Sequence, residues 1–222
     1  MNYLIWDFDG TLGYRAGMWS GTLLEILDGE MPGHGRTIDD IRPHLRSGFP
    51  WHNHHITNPP NRSPDEWWLA LHDLFRNAFI ALGVPPPDAP RLAALVRPAY
   101  LDLNRWRLYD DTIPTLDALS ALGWRHILLS NHVPELPEIL QYLGLRRRFL
   151  SIFNSAVTGH EKPHPSAFRA VLDTIRPGAT IWMIGDSMAA DIRGAEAVGI
   201  PAIPVRGEEK GGIIAIVEGS RG

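Results

Sequence analysis

The chain has 222 residues, of which 44% are hydrophobic and 21% charged, a balance typical of a soluble protein with one large domain or a core and a smaller lobe. It contains no cysteine, which excludes disulfides, thiolate nucleophiles and Cys–zinc sites. A formal net charge of -4 provides no electrostatic basis for binding nucleic acid or an anionic membrane, so an anionic substrate would need local positive charge.

The chain begins with a short apolar segment, Tyr3–Trp6, which is predicted to form a buried strand of a parallel sheet. This strand ends in a polar turn with the sequence Asp7-Phe8-Asp9-Gly10-Thr11. Residues 14–108 are richer in His and Trp and have few β-branched runs. We expect this region to be mostly helical, with one long irregular loop.

Two helices are predicted within this region. The first begins at Ser63-Pro64-Asp65-Glu66, which is a capping box with proline at the first helical position, and Gly83 ends it. The second runs from about Pro90 to Leu103, with apolar residues on one side. The segment Phe49–Asn61, rich in His and Pro, is predicted to be loop.

From about Tyr109, predicted helices alternate with predicted strands, which indicates βαβ units and a parallel sheet. The predicted strands are Ile127–Leu129, Ile152–Phe153, Ile181–Ile184 and Ala202–Val205, and the predicted helices span about 114–122, 136–143, 166–175 and 189–198. Residues 211–222 fit either a short strand or a tail. We therefore predict an α/β fold with a Rossmann-like parallel sheet core and an inserted helical domain.

Polar side chains follow the predicted strands at the point where each strand ends. In an open parallel sheet, ligands bind beyond these carboxyl ends, and right-handed crossovers gather the ends along one edge. The candidate site residues are Asp7, Asp9, Ser130, Asn131, Lys162, Asp186 and Asp191. Taken singly, these segments could be an ordinary turn, helix N-caps and a solvated lysine.

Together, these residues form a chemically coherent set. Clustered carboxylates repel one another unless a cation lies among them, and oxygen ligands suit Mg²⁺. The metal and Lys162 could neutralise a phosphoryl group during its transfer. A carboxylate nucleophile divides a difficult hydrolysis into two easier steps, and a second carboxylate two residues on could act as acid and then as base.

Four segments resemble, in order, the motifs of the haloacid dehalogenase superfamily: Asp7–Thr11, Leu129-Ser130-Asn131, Lys162-Pro163, and Gly185-Asp186-Ser187 with Asp191. The resemblance covers residues 1–13 and about 109–222, which we predict to be the catalytic core. Residues 14–108 resemble the superfamily's inserted helical cap, and the phosphoglycolate phosphatase-like branch is the most similar in layout.

The resemblance implies a Mg²⁺-dependent phosphatase that hydrolyses a small phosphate monoester through an aspartyl-phosphate on Asp7. It implies that Asp7 is the nucleophile, that Asp9 is the acid and base, and that Lys162 offsets negative charge. The residues implied to bind substrate are Gly10, Thr11, Ser130 and Asn131. The implied Mg²⁺ ligands are Asp7, Asp9, Asp186 and Asp191, where Asp9 uses its backbone carbonyl and Asp191 supports the metal waters or orients Lys162.

The sequence also bears on other reactions and functions. Dehalogenases of the superfamily lack the second aspartate because a halide needs no proton, and Asp9 is present here. Phosphonatases use a cap lysine, and residues 14–108 contain none. A phosphomutase remains an alternative, as does a non-enzymatic receiver-like domain that accepts a phosphoryl group, although the long insert and Asp9 argue against the receiver.

Residues of the insert invite further hypotheses. Tyr14, Arg15 and Trp19 follow the first motif and either line the entrance to the site or pack at a hinge. The histidines His52, His54 and His55 suggest a metal site, a substrate contact or a solvated loop. Trp67 and Trp68 are expected to pack within a helix.

The chain carries no sign of a membrane or secretory segment. No apolar stretch approaches the roughly 20 residues of a transmembrane helix, and the N-terminus lacks the basic and apolar regions of a signal peptide. We expect a cytoplasmic monomer or homodimer whose partner is a small phosphate ester, with no nucleic acid or membrane partner.

Overall fold

The computed structural model of the protein describes residues 2–206. The segment 211–222, predicted to be a strand or a tail, lies outside the described residues. Contacts divide the chain into two units. The core unit consists of the described residues of Met1–Tyr14, His54–Asn61 and Arg107–Gly222, and the helical unit consists of Arg15–Asn53 and Arg62–Trp106.

The strands are β1 Asn2–Trp6, β2 Gly13–Arg15, β3 Trp106–Leu108, β4 Trp124–Ser130, β5 Phe149–Asn154, β6 Thr180–Gly185 and β7 Ala202–Pro204. The helices are α1 Met18–Glu30, α2 Ile38–Ile41, α3 Pro64–Ala81, α4 Ala89–Tyr100, α5 Thr112–Ala121, α6 Leu136–Tyr142, α7 Ser155–Thr158, α8 Pro165–Leu172 and α9 Gly194–Glu196. A π-helix, Met188–Arg193, leads into α9.

A five-stranded parallel sheet with the order β5-β4-β1-β6-β7 organises the core unit. β1 is central, and Ile5 pairs with Ile127 of β4 on one side and with Met183 of β6 on the other. Strands buried on both faces are largely apolar, as residues 3–6 of β1 are. The predicted α/β fold is confirmed, and β2 and β3 form a separate two-stranded sheet.

One face of this sheet packs on helix α8. Alternate residues of a strand point to the same face, which places Tyr3 with Ile5 and Ile127 with Leu129. Phe168 and Val171 of α8 cover these side chains and are fully buried. Because this packing holds β1 and β4 rigidly, it fixes the positions from which the residues beyond their carboxyl ends project.

The helical unit is built around aromatic side chains. The predicted capping box is present, since the Glu66 N–H donates to Ser63 Oγ at 3.2 Å and the Ser63 N–H to Glu66 Oε2 at 2.9 Å. Trp67 and Trp68 are buried in α3, as expected. The ring of Trp19 stacks on that of Tyr100, with the ring centroids 3.9 Å apart.

Residues 54–61 interrupt the helical unit and pack with the core unit, whereas the sequence suggested one continuous insert over 14–108. Two backbone hydrogen bonds account for this. The Asn58 N–H donates to the Gly159 carbonyl and the Asn61 N–H to the Val157 carbonyl, both at 2.9 Å. We call residues 54–61 the core-bound segment.

None of the helices in the described part of the chain combines the length and the apolar character needed to cross a bilayer.

Candidate active site

Asp7 lies directly beyond the central strand and is held in place by three contacts. Its backbone N–H donates to the Ile184 carbonyl at 2.9 Å, which continues the pairing of β1 with β6. Its carboxyl oxygen Oδ1 accepts hydrogen bonds from Ser130 Oγ at 2.9 Å and from Lys162 Nζ at 2.8 Å. The side chain is 10% exposed, so a reacting group can reach a carboxylate that is otherwise buried and oriented.

Lys162 connects Asp7 with Asp191. Its Nζ lies 2.6 Å from Asp191 Oδ1, and the side chain is 2% exposed. Burial lowers the pKa of Lys162, but the carboxylates of Asp191 and Asp7 raise it by more, so the ammonium stays charged. Asn131 fixes the backbone at this position, because its side chain accepts from the Lys162 N–H at 2.7 Å and donates to the Lys162 carbonyl at 2.9 Å.

Three carboxylates meet at this edge of the sheet. Asp7, Asp186 and Asp191 each offer an oxygen, and these oxygens all lie within 4.8 Å of one another. Burial, followed by repulsion from Asp7 and Asp191, raises the pKa of Asp186 to about 7. One lysine does not balance three carboxylates, and oxygen donors at this spacing suit a hard divalent cation such as Mg²⁺.

Two glycines allow the backbone to approach these carboxylates. A Cβ on Gly10 would lie 2.3 Å from Asp186 Oδ2, and a Cβ on Gly185 would lie 2.3 Å from the Asp191 carboxylate. Thr11 contributes a hydroxyl, which donates to Asp186 Oδ1 at 3.4 Å. The turn after β1 and the end of β6 therefore shape the carboxylate cluster through backbone that any larger residue would displace.

Asp191 lies in the π-helix Met188–Arg193, which determines the direction of its side chain. The Ile192 N–H donates to the Ser187 carbonyl at 3.2 Å, five residues back, which widens the turn. Asp191 Oδ2 accepts from the Ser187 N–H at 3.0 Å while Oδ1 contacts Lys162. Both oxygens are therefore engaged, which is the geometry expected of a residue that orients Lys162, and Asp191 is also one of the three carboxylates of the cluster.

The Asp9 side chain lies outside that cluster and faces a histidine. Asp9 Oδ2 is 3.6 Å from Nε2 of His132, and the Asp9 side chain is 24% exposed. Burial raises the pKa of Asp9, and His132 is the largest influence in the opposite direction. Asp9 Oδ1 is buried without a hydrogen-bond partner among the described residues. This carboxyl can therefore hold a proton and offer an oxygen to a bound substrate.

Three residues near the site were missed by sequence reasoning. His132 follows Ser130-Asn131 directly, so its place at a strand end was a usable signal. Glu161 precedes Lys162 and is 1% exposed, and burial raises its pKa to about 7. Arg206 pairs with both carboxylate oxygens of Asp111 at 2.9 and 2.6 Å and donates to the Thr11 carbonyl. No pattern in the sequence around Arg206 predicts these contacts.

The residues proposed to line an entrance have mainly packing roles within their own units. Tyr14 packs on Tyr109 at 4.9 Å. The Arg15 side chain is fully buried and pairs with Glu25 at 2.6 Å. Trp19 borders an open cavity of about 540 Å³ in the helical unit, and the residues that line it are Gly17, Met18, Trp19, Ser20, Arg42, Leu45, Arg46, Phe49, Trp51 and His52.

The three histidines of the insert are divided between the two units. His52 belongs to the helical unit, whereas His54 and His55 belong to the core-bound segment. Over residues 2–206, the side chains with metal-ligand spacing are Asp7, Asp186 and Asp191, and no histidine is among them. The histidine metal site considered from the sequence therefore gains no support.

The sequence is similar to those of several known proteins. The family described as haloacid dehalogenase-like hydrolase matches residues 1–199. Haloacid dehalogenase-like hydrolase domain-containing protein 3 of Mus musculus is 28% identical over 186 residues, which cover 79% of this chain and 72% of the mouse protein. A phosphoserine phosphatase of Thermus thermophilus is 32% identical over 133 residues, which cover 59% of this chain and 52% of that enzyme.

A solved structure shows a similar fold. The crystal structure of the HAD-hydrolase YfnB from Bacillus subtilis, bound to magnesium, has a TM-score of 0.69 and 21% sequence identity. The match covers 92% of each chain. At this level of identity the likeness concerns the fold alone.

Proposed function

The chain belongs to the haloacid dehalogenase-like hydrolase family, and we propose that it is a Mg²⁺-dependent phosphatase of small phosphate monoesters. The observation that carries the proposal is the arrangement around Asp7. One oxygen of its carboxylate is held by Ser130 and Lys162, and a second aspartate with a raised pKa stands two residues along the chain. A nucleophile and a proton donor are thus available together.

In the first step, the Asp7 carboxylate attacks phosphorus, a new O–P bond forms, and the P–O bond to the alcohol breaks. Asp9 gives its proton to the departing alkoxide oxygen, since an alkoxide is a poor leaving group. The raised pKa of Asp9 favours the protonated form that this step requires. Lys162 stabilises the negative charge that crosses between Asp7 and the phosphoryl oxygens.

In the second step, water attacks the phosphorus of the aspartyl-phosphate. Asp9, now ionised, takes the proton of that water, the Asp7–phosphoryl bond breaks, and inorganic phosphate leaves. Asp9 returns to its protonated form and Asp7 to its carboxylate, so all protons balance over the cycle. Ser130 and the backbone of Asn131, at the end of β4, would hold phosphoryl oxygens in both steps, as would the turn containing Gly10 and Thr11.

Asp7 and Asp186 would hold Mg²⁺, with Asp191 in support. The resemblance to the family adds the backbone carbonyl of Asp9 to this set. When bound there, the ion supplies positive charge that offsets the carboxylates and the phosphate. The name of one similar protein supports the proposal, because that relative is a phosphoserine phosphatase.

The helical unit would act as a cap that selects the alcohol half of the substrate. It is inserted between the first and second motifs, and its cavity combines aromatic walls at Trp19, Phe49 and Trp51 with two arginines. Replacing Trp51 with Ala should change the order in which small esters are hydrolysed. An unchanged order would remove this cavity from consideration.

The proposed activity is tested by measuring inorganic phosphate released from a panel of small esters: phosphoglycolate, phosphoserine, sugar phosphates and nucleoside monophosphates. We expect release with Mg²⁺, loss of release with excess chelator, and recovery when Mg²⁺ is restored. The Asp7→Asn protein, purified in the same way, is the matched control. Turnover in chelator would contradict the metal assignment.

Two further readouts separate the alternatives. Conversion of a sugar phosphate to its isomer without phosphate release would indicate a mutase. Halide release from a 2-haloacid, without hydrolysis of any ester, would contradict the phosphatase proposal.

A further inference from the structure

His132 is buried beside the acid–base residue and has no role in the chemistry described so far. Its side chain is fully buried, and Nε2 lies 3.6 Å from Asp9 Oδ2. At this distance the two groups attract each other without a fully formed hydrogen bond. Hydrogen bonds of catalytic groups are often long before substrate binds and shorten in the complex.

The histidine ring is itself held firmly. The ring of Phe8 meets it edge-on, with the centroids 5.6 Å apart, and Nδ1 lies 3.4 Å from the Val133 carbonyl oxygen. That carbonyl also accepts a 2.7 Å hydrogen bond from the side chain of Asn154. These contacts hold the ring in an orientation in which Nε2 faces Asp9 Oδ2.

The backbone that carries His132 is equally constrained. Asn131, immediately before it, is bonded in both directions to the backbone of Lys162. Asp9, in contrast, stands in the turn after β1, and its Oδ1 has no hydrogen-bond partner among the described residues. The contact with His132 is thus a restraint that links the Asp9 carboxyl to a rigid part of the core unit.

We propose that His132 is a positioning residue that holds the Asp9 carboxyl in the orientation needed to reach the leaving oxygen of the phosphate ester. The inference rests on the proposed phosphatase function. With Oδ2 restrained by Nε2, the other oxygen, Oδ1, is directed to the substrate. A carboxyl free to rotate would spend much of its time in unproductive orientations, and a misplacement of about 1 Å can cost on the order of 100-fold in rate.

Two amide substitutions test this with matched chemistry. The side-chain nitrogen of Gln can take the place of Nε2, whereas that of Asn takes the place of Nδ1. His132→Gln therefore keeps a polar group facing Asp9, and His132→Asn keeps only the group facing Val133. The matched control is His126→Gln, which alters a second buried histidine that belongs to no part of the site.

For an alkyl phosphate, we expect kcat of His132→Asn to fall about 10- to 100-fold with KM nearly unchanged, because proton transfer and not binding is impaired. His132→Gln should retain kcat within about threefold. An aryl phosphate with a good leaving group should be affected less in its first step. The double variant that carries both Asp9→Asn and His132→Asn should have a kcat less than about threefold below that of Asp9→Asn alone, because the effect of His132 acts through Asp9.

A full, multiplicative loss in the Asp9→Asn background would overturn the inference, as would equal losses in the Gln and Asn variants. Failure of the proposed function looks different: the wild-type protein would release no phosphate from any ester. In that case crystal structures of the two variants still test the positioning role. The Asp9 carboxyl should keep its wild-type orientation in His132→Gln and adopt a different orientation in His132→Asn. An unchanged Asp9 in both variants would reject the positioning role.

Discussion

The two ends of strand β4 carry buried histidines in contrasting surroundings. At one end, His126 Nδ1 accepts from Trp6 Nε1 at 3.0 Å, and its Nε2 lies 3.0 Å from Ser120 Oγ and 3.1 Å from the Leu116 carbonyl. Burial lowers the pKa of His126, which keeps the ring neutral. Beyond the other end, His132 faces a carboxyl at 3.6 Å, among carboxylates that one lysine cannot neutralise.

The difference shows how one strand serves two purposes. At the His126 end, each ring nitrogen has a close partner and the arrangement stabilises the fold. At the opposite end, charges of one sign are held together and Asp9 Oδ1 is buried without a partner in the described chain, which costs folding free energy and leaves groups ready for a substrate. Substitutions should therefore damage activity at one end and stability at the other.

The largest expected effect comes from Asp7→Asn, which removes the nucleophile and should lower kcat by at least about 10⁴-fold for every ester. The same change removes one of three repelling carboxylates, so the free energy of unfolding should stay equal or rise. Phosphate release and urea denaturation measure the two quantities. A large loss of stability together with activity would contradict the contrast between the two ends.

Asp9→Asn should lower kcat for alkyl phosphates by about 10²- to 10⁴-fold, roughly 3 to 5.5 kcal/mol of barrier, because the amide cannot transfer a proton. The loss should be smaller for the first step of an aryl phosphate, and aspartyl-phosphate should accumulate. Rapid-quench measurement of the phosphorylated protein checks this. Near-normal turnover of alkyl phosphates would exclude Asp9 as the acid and base.

Glu161→Gln should change how stability depends on pH. Burial raises the pKa of Glu161 from 4.5 to about 7, so the folded state keeps a proton that the unfolded state releases between these values. Stability of the wild type therefore falls as pH rises from 4.5 to 7, by roughly 3 kcal/mol from this residue. The variant should lack this decrease.

The comparison is made by urea denaturation of both proteins, without divalent cation, at several pH values. The variant should gain stability relative to wild type as pH rises, and the difference should level off above about pH 7. A difference that does not vary with pH would show that Glu161 is ionised in the folded protein.

The smallest effect is expected at the structural end. His126→Phe leaves the Trp6 indole N–H and the Ser120 hydroxyl without their partner, which should cost roughly 2 kcal/mol of stability. Turnover should stay within about twofold of wild type, because the site is formed at the other end of β4. Thermal denaturation measures the stability and steady-state kinetics the turnover. A large fall in kcat would mean that the two ends of β4 are coupled.

Much of the site could be predicted because parallel topology dictates it. Once apolar strands alternate with helices, the carboxyl ends of β1, β4 and β6 must share one edge of the sheet. Asp7, Ser130 and Asp186 were therefore expected at one edge, and Ser130 contacts Asp7 there. Apolar periodicity carries this information locally, whereas the strand order that places β1 between β4 and β6 comes from the structure.

What could not be predicted depends on single side-chain contacts across the chain. A regular helix was expected over 189–198, but Met188–Arg193 forms a π-helix, in which Asp191 meets Lys162 and the Ser187 N–H. The ring of His132 is directed by Phe8 and Val133, which no periodicity encodes. The sequence of the core-bound segment is that of an ordinary polar loop. Its attachment to the core unit depends on backbone hydrogen bonds to Val157 and Gly159, which are distant in sequence.

The core-bound segment has a practical consequence for exchanging the helical unit between relatives. A transplant with only two junctions, near residues 14 and 108, would also remove residues 54–61, which bond to the backbone of Val157 and Gly159. Gly159 would then lose its close neighbour, the Asn58 carbonyl oxygen, which lies 2.3 Å from the position that a Cβ on residue 159 would occupy. A faithful chimera needs four junctions, at 14/15, 53/54, 61/62 and 106/107, with the host's own 54–61 residues retained.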